Sequence, residues 1–325
     1  MIKMEKIAIG VPGWLDGWQR LFDDQPQALQ QHYRYLMALT ALGADMDMVY
    51  FYRQQEMVAF AAMARRKIFR LITLDSCFRA PVFTAQVTET EKIEIFKLIS
   101  ALGRKWRWHF VNIQPDMPAT DQALGLMKQA GLRQVMTGFS TAWLDLRPSG
   151  ESLRQGLAGK WRNQLQKSEK ADFDVTYSFD KRKNYQWLLE EDHSHAKMKG
   201  YPATPKALIY SYEEISQIID QGRHAGGPSL PAVLMVTAHK RREKLAGGLF
   251  LLHGNSATYQ IGWTSPAGRP LNAQNRVLWQ AILQLKAQGI KFLDMGGFET
   301  AEMAPLARFK LGTGAKPITY CGAFV

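Results

Sequence analysis

Residues Leu245–His253 read LAGGLFLLH, Gly254-Asn255 follow, and Ser256–Trp263 read SATYQIGW. Two apolar runs of strand length joined by a Gly-Asn pair specify a hairpin. A polar loop carrying Arg269 comes next, and then a stretch of helical period over 271–288. Lys291–Gly297 (KFLDMGG) and Ala307–Gly314 (ARFKLGTG) follow. The predicted order is hairpin, helix, a strand ending in Asp294 ahead of Gly296-Gly297, and a short helix near 302–309.

Working outward, the whole second half reads as one series. The spacing predicts a helix over 153–170, a strand over 173–177, helices over 184–197 and 205–221, and a strand over 231–238 ahead of the hairpin. A last strand is predicted over 317–324. The first half runs in a similar order. A helix over 27–42 stops at Gly43. Short apolar runs at 48–52, 57–63 and 68–74 suit an antiparallel meander, with Arg65-Arg66-Lys67 at one of its turns. A helix over 89–102, capped by Thr88 or Thr90, a strand over 108–113, a helix over 121–130 and a strand ending at Leu146 complete it. The repeat is one of architecture and not of sequence. Pro148-Ser149-Gly150 marks the expected boundary, giving domains 1–147 and 148–325; a single domain is the alternative at this length.

The chain has 325 residues, 46% of them hydrophobic, which is ample for packed cores and excludes a disordered chain. Its formal charge of +12 favours an anionic partner such as tRNA, a nucleotide, a phospholipid surface or an anionic cell-wall precursor. A solubility surplus is the plainer explanation. Cys77 and Cys321 are the only cysteines and form no metal or disulfide spacing. His193 and His195, two apart on a helix, diverge too far to share an ion, so no metal is expected. No signal peptide or membrane span is read, and a cytoplasmic protein is expected, with contact at the inner face of a membrane left open.

The segment 141–170 resembles the Fem-type peptidoglycan-bridge aminoacyltransferases and their FemAB-like relatives. The resemblance rests on Leu144-Asp145-Leu146, Lys160-Trp161-Arg162-Asn163 and Lys167-Ser168-Glu169-Lys170. Farther on it rests on Tyr259 with Gly262, Arg269, Trp279, Asp294-Met295-Gly296-Gly297 and Phe309-Lys310-Leu311-Gly312. It covers 141–170 and 245–315 clearly. It implies an α+β fold of two tandem GNAT-like domains, each a mixed, mostly antiparallel sheet flanked by helices. It also implies transfer of an amino acid from aminoacyl-tRNA to an amine of a lipid-linked or nucleotide-linked cell-wall precursor. Two features depart from the family. The long helical arm of several members is absent, and a Pro-Asn pair is replaced by Ala273-Gln274.

Acyl transfer to an amine needs a neutral amine and a stabilised oxyanion. By resemblance, Lys310 supplies a cation to the acceptor phosphate or the reacting carbonyl, with Phe309 beside it and Gly312 allowing close approach. The plain alternative is a surface lysine near a helix C-terminus. Arg269 precedes a helix N-terminus, where phosphate binds; a solvated loop arginine is its alternative. Asp294 is a candidate general base, or a turn-former with Gly296. On the 153–170 helix, Leu157, Trp161 and Leu165 form a core stripe. Lys160, Asn163, Lys167 and Lys170 fall on an adjacent face, with Arg162 between, as a basic strip for tRNA or phosphate. A solvated face explains the same charges. Arg104-Lys105-Trp106-Arg107 and Lys240-Arg241-Arg242 are further basic runs. Tyr259, Phe309 and Gly312 complete the expected carrier-binding set.

Coenzyme A is usually cradled by a Gly-rich turn between hairpin and helix. Here that stretch is Arg269-Pro270-Leu271-Asn272-Ala273-Gln274, with no glycine and with Pro270 lacking an N–H. Aminoacyl-tRNA is therefore preferred as donor over acyl-CoA. A non-catalytic protein binding an anionic ligand is the third reading.

Overall fold

The computed structural model describes residues 1–8, 25–68, 71–103, 108–200, 202–222, 230–298 and 304–325. The basic run 104–107 lies outside the described residues. The chain divides into two compact units, Met1–Ser140 with Ile318–Val325, and Thr141–Pro317.

The first unit holds β1 (Ile2–Ala8), α1 (Tyr33–Ala41), β2 (Asp45–Arg53), β3 (Glu56–Ile68), β4 (Ile72–Phe78), β5 (Val82–Phe83), α2 (Glu89–Gly103), β6 (His109–Gln114), α3 (Asp121–Gln129) and β7 (Gln134–Met136). The second holds β8 (Ser140–Asp145), α4 (Gly150–Gln155), α5 (Gly159–Lys170), β9 (Asp174–Phe179), α6 (Arg182–Lys199), α7 (Lys206–Gly222), β10 (Val233–Lys240), β11 (Glu243–His253), β12 (Ser256–Thr264), α8 (Ala273–Ala287), β13 (Phe292–Asp294), α9 (Ala304–Leu311) and β14 (Lys316–Thr319). A final strand, β15 (Ala323–Phe324), returns to the first unit.

In the first unit the strands run β1-β2-β3-β4-β6-β15-β7, with β5 on β3. All pairs described in it are antiparallel except β4 with β6. Helix α2 starts where Thr88 and Glu91 cap each other: the Thr88 N–H donates to the Glu91 carboxylate at 2.9 Å and the Glu91 N–H to the Thr88 hydroxyl at 3.3 Å. Its Ile95, Phe96, Ile99 and Leu102 are buried against Phe51, Met63, Val111 and Ile113 of the sheet. The expected turn at 65–67 is instead part of β3. Arg65 lies opposite Asp75 and grips its buried carboxylate through Nε and Nη2 at 3.0 and 3.1 Å, which holds the strand pair together to Ile68.

In the second unit the order is β14-β8-β13-β12-β11-β10-β9, with β12 and β13 parallel. The hairpin of β11 and β12 is central, and its paired glycines point opposite ways. A Cβ at Gly247 would meet Trp187 of α6 at 2.8 Å, and one at Gly248 would meet Val277 of α8 at 3.1 Å. Helices can therefore pack closely on both faces of β11. Lys240-Arg241-Arg242 does form the turn between β10 and β11.

Three expectations are corrected. The 153–170 helix is two helices. Ala158 between them is extended and donates its N–H to the Gly312 carbonyl at 2.9 Å. The strand over 317–324 is β14 and β15, in different sheets, with Gly322 bending the chain at φ +96 where a Cβ would come within 2.1 Å of the Met136 carbonyl oxygen. The boundary at 147/148 lies inside the second unit. Leu144 pairs with Leu293, and Lys286 Nζ donates to the Leu146 and Arg147 carbonyls at 3.0 and 3.2 Å, so 141–147 is bound there.

Candidate functional site

Strands β12 and β13 pair at three positions, Ser256 with Phe292, Ala257 with Leu293 and Thr258 with Asp294. There β13 ends, while β12 continues to Thr264 paired only with β11. A bulge in the β11–β12 ladder, between Leu249 and Phe250, falls at the same level. The β13 side of Tyr259–Thr264 is thus a strand edge that no described residue joins by a main-chain hydrogen bond. It is roughly 17 Å long at 3.4 Å per residue, and such an edge receives an extended chain or carrier arm. The first unit has no counterpart among its described residues. Its parallel pair β4 and β6 stays closed over six positions, from Thr73 with His109 to Phe78 with Gln114. Just beyond it the buried Arg79 is fully engaged, with Asp116 at 2.8 Å, the Tyr320 hydroxyl, and the Tyr320 ring 4.4 Å away.

Buried charged groups gather at the closed end of the slot. Lys310 on α9 is buried, with 7% exposure, so the surface-lysine explanation fails. Its ammonium donates to the Gly296 and Gly297 carbonyls at 3.2 and 2.9 Å. An ammonium has three N–H donors, and one remains. Burial pushes its pKa down from 10.5 to about 8, and the charge of nearby Asp294 opposes that fall. Asp294 is buried and accepts from the Thr141 hydroxyl and from the Gly296 N–H at 2.9 Å. It is therefore the turn-former considered above and also the counter-charge of Lys310. Gly296 sits at φ +72, a conformation that a side chain disfavours, and a Cβ there would lie 3.1 Å from the Tyr259 carbonyl oxygen. Thr141, at the start of β8, is a site residue that sequence reading missed.

Three expected carrier-binding residues are used in packing. Tyr259 is buried, its ring stacks on Phe250 at 4.8 Å, and its hydroxyl accepts from Gln274 Nε2 at 2.6 Å. The substituted Gln274 is thus the residue that fixes Tyr259. Phe309 lies 6.1 Å from the Trp161 ring, and its carbonyl accepts from Trp161 Nε1 at 3.1 Å. At Gly312 a Cβ would come within 2.7 Å of Trp161; the close approach it permits is that of α5, not of a ligand.

Arg269 is exposed, in the turn past the other end of β12. The open edge Tyr259–Thr264 runs from the level of Lys310, beside Gly296 and the Tyr259 carbonyl, towards this turn. The turn that holds Arg269 is closed on itself. The Gly268 N–H donates to Ser265, the Ala273 N–H to the Gly268 carbonyl at 3.1 Å, and the Asn275 N–H to the Asn272 carbonyl at 3.0 Å. Asn272 adopts a left-handed conformation at φ 51.

On α5, Trp161 and Leu165 are buried, and so is Leu157 just before it, while Lys160, Asn163, Lys167 and Lys170 are exposed along one side and Arg162 is half-buried. Glu169, the one acid of this helix, is held by Arg154 at 2.6 Å. The strip therefore presents positive charge to solvent.

No family model matches the chain, and no curated protein matches it in sequence. Solved structures do. FemX superposes over 98% of this chain and 96% of its own, with a TM-score of 0.75 at 14% identity. A tandem GNAT protein from the clavulanic acid biosynthesis pathway covers 100% and 98%, with a TM-score of 0.58 at 12% identity. The C-terminal domain of a putative lysylphosphatidylglycerol synthetase from Agrobacterium fabrum covers 96% and 92%, with a TM-score of 0.56 at 12% identity. The chain has an α+β, tandem GNAT fold. Its fold is similar to that of FemX over nearly the whole length of both chains. No described helix is long and apolar enough to cross a membrane.

Proposed function

We propose that this protein is an acyltransferase that forms an amide on an amine acceptor, with aminoacyl-tRNA as donor. The observation that carries the reading is the open edge of β12 leading to the buried Lys310. The donor's 3′ end lies along that edge, with its ester carbonyl beside the free N–H of Lys310. The amine nitrogen bonds to the ester carbon as a neutral group. The oxyanion develops against a preorganised cation in a water-poor site. The C–O bond to the ribose then breaks, the nitrogen gives up one proton as the amide forms, and the leaving ribose oxygen takes one, with Lys310 as the relay. With a pKa of about 8, Lys310 suits both holding charge and passing a proton near neutrality. Asp294 sustains its charge and does not itself meet the substrate.

The basic strip of α5 and Arg269 serve the phosphates of the donor or of an anionic cell-wall or nucleotide-linked acceptor. A tRNA donor implies a cytoplasmic protein, and a lipid-linked acceptor implies contact with the inner membrane face. An acyl-CoA donor is disfavoured because, in the 269–274 stretch, the N–H groups of Arg269, Asn272 and Ala273 are used in the turn's own hydrogen bonds and Pro270 has none. A non-catalytic protein that binds an anionic ligand leaves the buried ammonium without a task.

The test is a mass-spectrometric screen of the pure protein with mixed aminoacyl-tRNAs and, separately, acyl-CoAs, against amine-bearing cell-wall precursors. A mass gain abolished by ribonuclease is expected. A product formed only with acyl-CoA overturns the donor, and no transfer with either supports the binding protein.

A further inference from the structure

Thr141 is wholly buried at the start of β8. Alternation along β8 sends Ala142 and Leu144 into the core cluster of the second unit and Thr141 to the other face. Asp294 stands opposite Trp143, so Thr141 is its diagonal neighbour across the β8–β13 ladder. The ladder continues past the end of β13, where the Met295 N–H donates to the Ala142 carbonyl at 2.9 Å and fixes the backbone beside Thr141. The Thr141 hydroxyl donates to Asp294 Oδ1 at 2.5 Å, and the Gly296 N–H donates to the same oxygen at 2.9 Å. The Gly296 carbonyl in turn accepts from Lys310 Nζ at 3.2 Å. A valine has nearly the shape of threonine, suits a strand and brings no hydroxyl that needs a partner. Packing alone therefore does not account for the hydroxyl, whose partner among the described residues is Asp294.

We propose that Thr141 is a positioning residue for Lys310, acting through Asp294. Its hydroxyl fixes the carboxylate, and the carboxylate fixes both the counter-charge of Lys310 and the turn whose carbonyls hold the ammonium. Without the hydroxyl, Oδ1 loses one of these two donors and the carboxylate is free to turn away. Burial disfavours the charge on Lys310, and Asp294 opposes that effect. Losing the alignment of Asp294 therefore makes Lys310 give up its proton at lower pH. Other charged or titratable groups on the surrounding elements are engaged elsewhere or face solvent. On α9, Arg308 is exposed and donates to the Ala304 carbonyl at 3.3 Å. On β8, Asp145 is paired with Arg147 at 2.7 Å, and on β12 the buried Tyr259 hydroxyl is held by Gln274. On α5, Lys160 is exposed and Arg162 half-buried. The inference rests on the proposed transfer role of Lys310 for its kinetic readout, while the titration of Lys310 is measured without transfer.

The measurement is competitive labelling of Lys310 with trace acetic anhydride across a pH series, read by peptide mass spectrometry, in the full chain and its Thr141→Val, Thr141→Ser and Asp294→Asn variants. The expected titration midpoint of Lys310 is about 8 in the wild type and about 1 pH unit lower in Thr141→Val and in Asp294→Asn. Thr141→Ser restores the wild-type midpoint, and circular dichroism confirms that each variant is folded. Thr141→Val added to Asp294→Asn produces no further fall, because both act through one carboxylate. In transfer, such a fall leaves about 5-fold less charged Lys310 at about pH 8, so kcat drops by that factor there and changes little near about pH 6, with KM retained. A wild-type or raised midpoint in Thr141→Val overturns the proposal, and so do additive falls in the double variant. An unchanged midpoint in Asp294→Asn overturns it even where Thr141→Val does not fold. A chain with these midpoints and no transfer activity retains the role of Thr141 and loses only the activity proposed above.

Discussion

Lys310 holds a charge at a site where it is only 7% exposed. Lowering its pKa from 10.5 to about 8 corresponds to about 3 kcal/mol against the charged form. Two carbonyls and Asp294 offset part of the cost of burial. The account requires the cation, so turnover should fall as pH rises through about 8, and Lys310→Arg should move that fall to higher pH in a pH–rate profile. An alkaline limb at the same pH in both proteins would assign it to another group. Stability has the opposite trend from this residue. Between about 8 and 10.5 the unfolded chain holds a proton that the folded chain has released, so stability rises with pH across that window. Gly296→Ala should destabilise the chain by about 1 kcal/mol or more, because an alanine is strained at positive φ, read as a lower urea midpoint. The sequence marks Lys310 and Asp294 because both stand in recognisable local motifs. Thr141 is not legible, since it meets Asp294 only when β8 pairs with β13, 153 residues apart.

At the scale of elements, one strand that outlasts its neighbour makes the slot. Alternation of apolar residues locates β12 and β13, but not where their pairing stops. That depends on the short reach of β13 and on the bulge at Gln260, neither of which has a composition signal. The break between α4 and α5 is hidden for a related reason. Leu153, Leu157, Trp161 and Leu165 continue a helical period across it, and the hydrogen bond from Ala158 that fixes it comes from the distant Gly312. The α5 strip has its own test. Lys160→Ala with Lys167→Ala should weaken tRNA binding and reduce the log–log salt slope by ~0.7 to 0.9 for each phosphate no longer neutralised. An unchanged slope would make the strip a solvated face.

Across the whole molecule, the order of strands is the least legible feature. Periodicity shows a terminal strand but does not say which sheet receives it. The chain in fact completes its first sheet with its last residues, β15 between β6 and β7, with Tyr320 against Arg79. Removing residues 318–325 should therefore raise hydrogen exchange in β6 and β7 and leave β10–β12 protected. Unaltered exchange in β6 would mean that the first sheet closes without β15. The two units also differ in capacity: the parallel pair of the first is closed, and that of the second is open beside a buried cation. The proposed transfer chemistry therefore belongs to the second unit. The most direct test is the single-turnover rate of aminoacyl transfer by the wild-type and Lys310→Ala chains under saturating donor. The account predicts a loss of about 100-fold or more, the scale of one oxyanion contact, with donor affinity retained. Equal rates in the two proteins would contradict it.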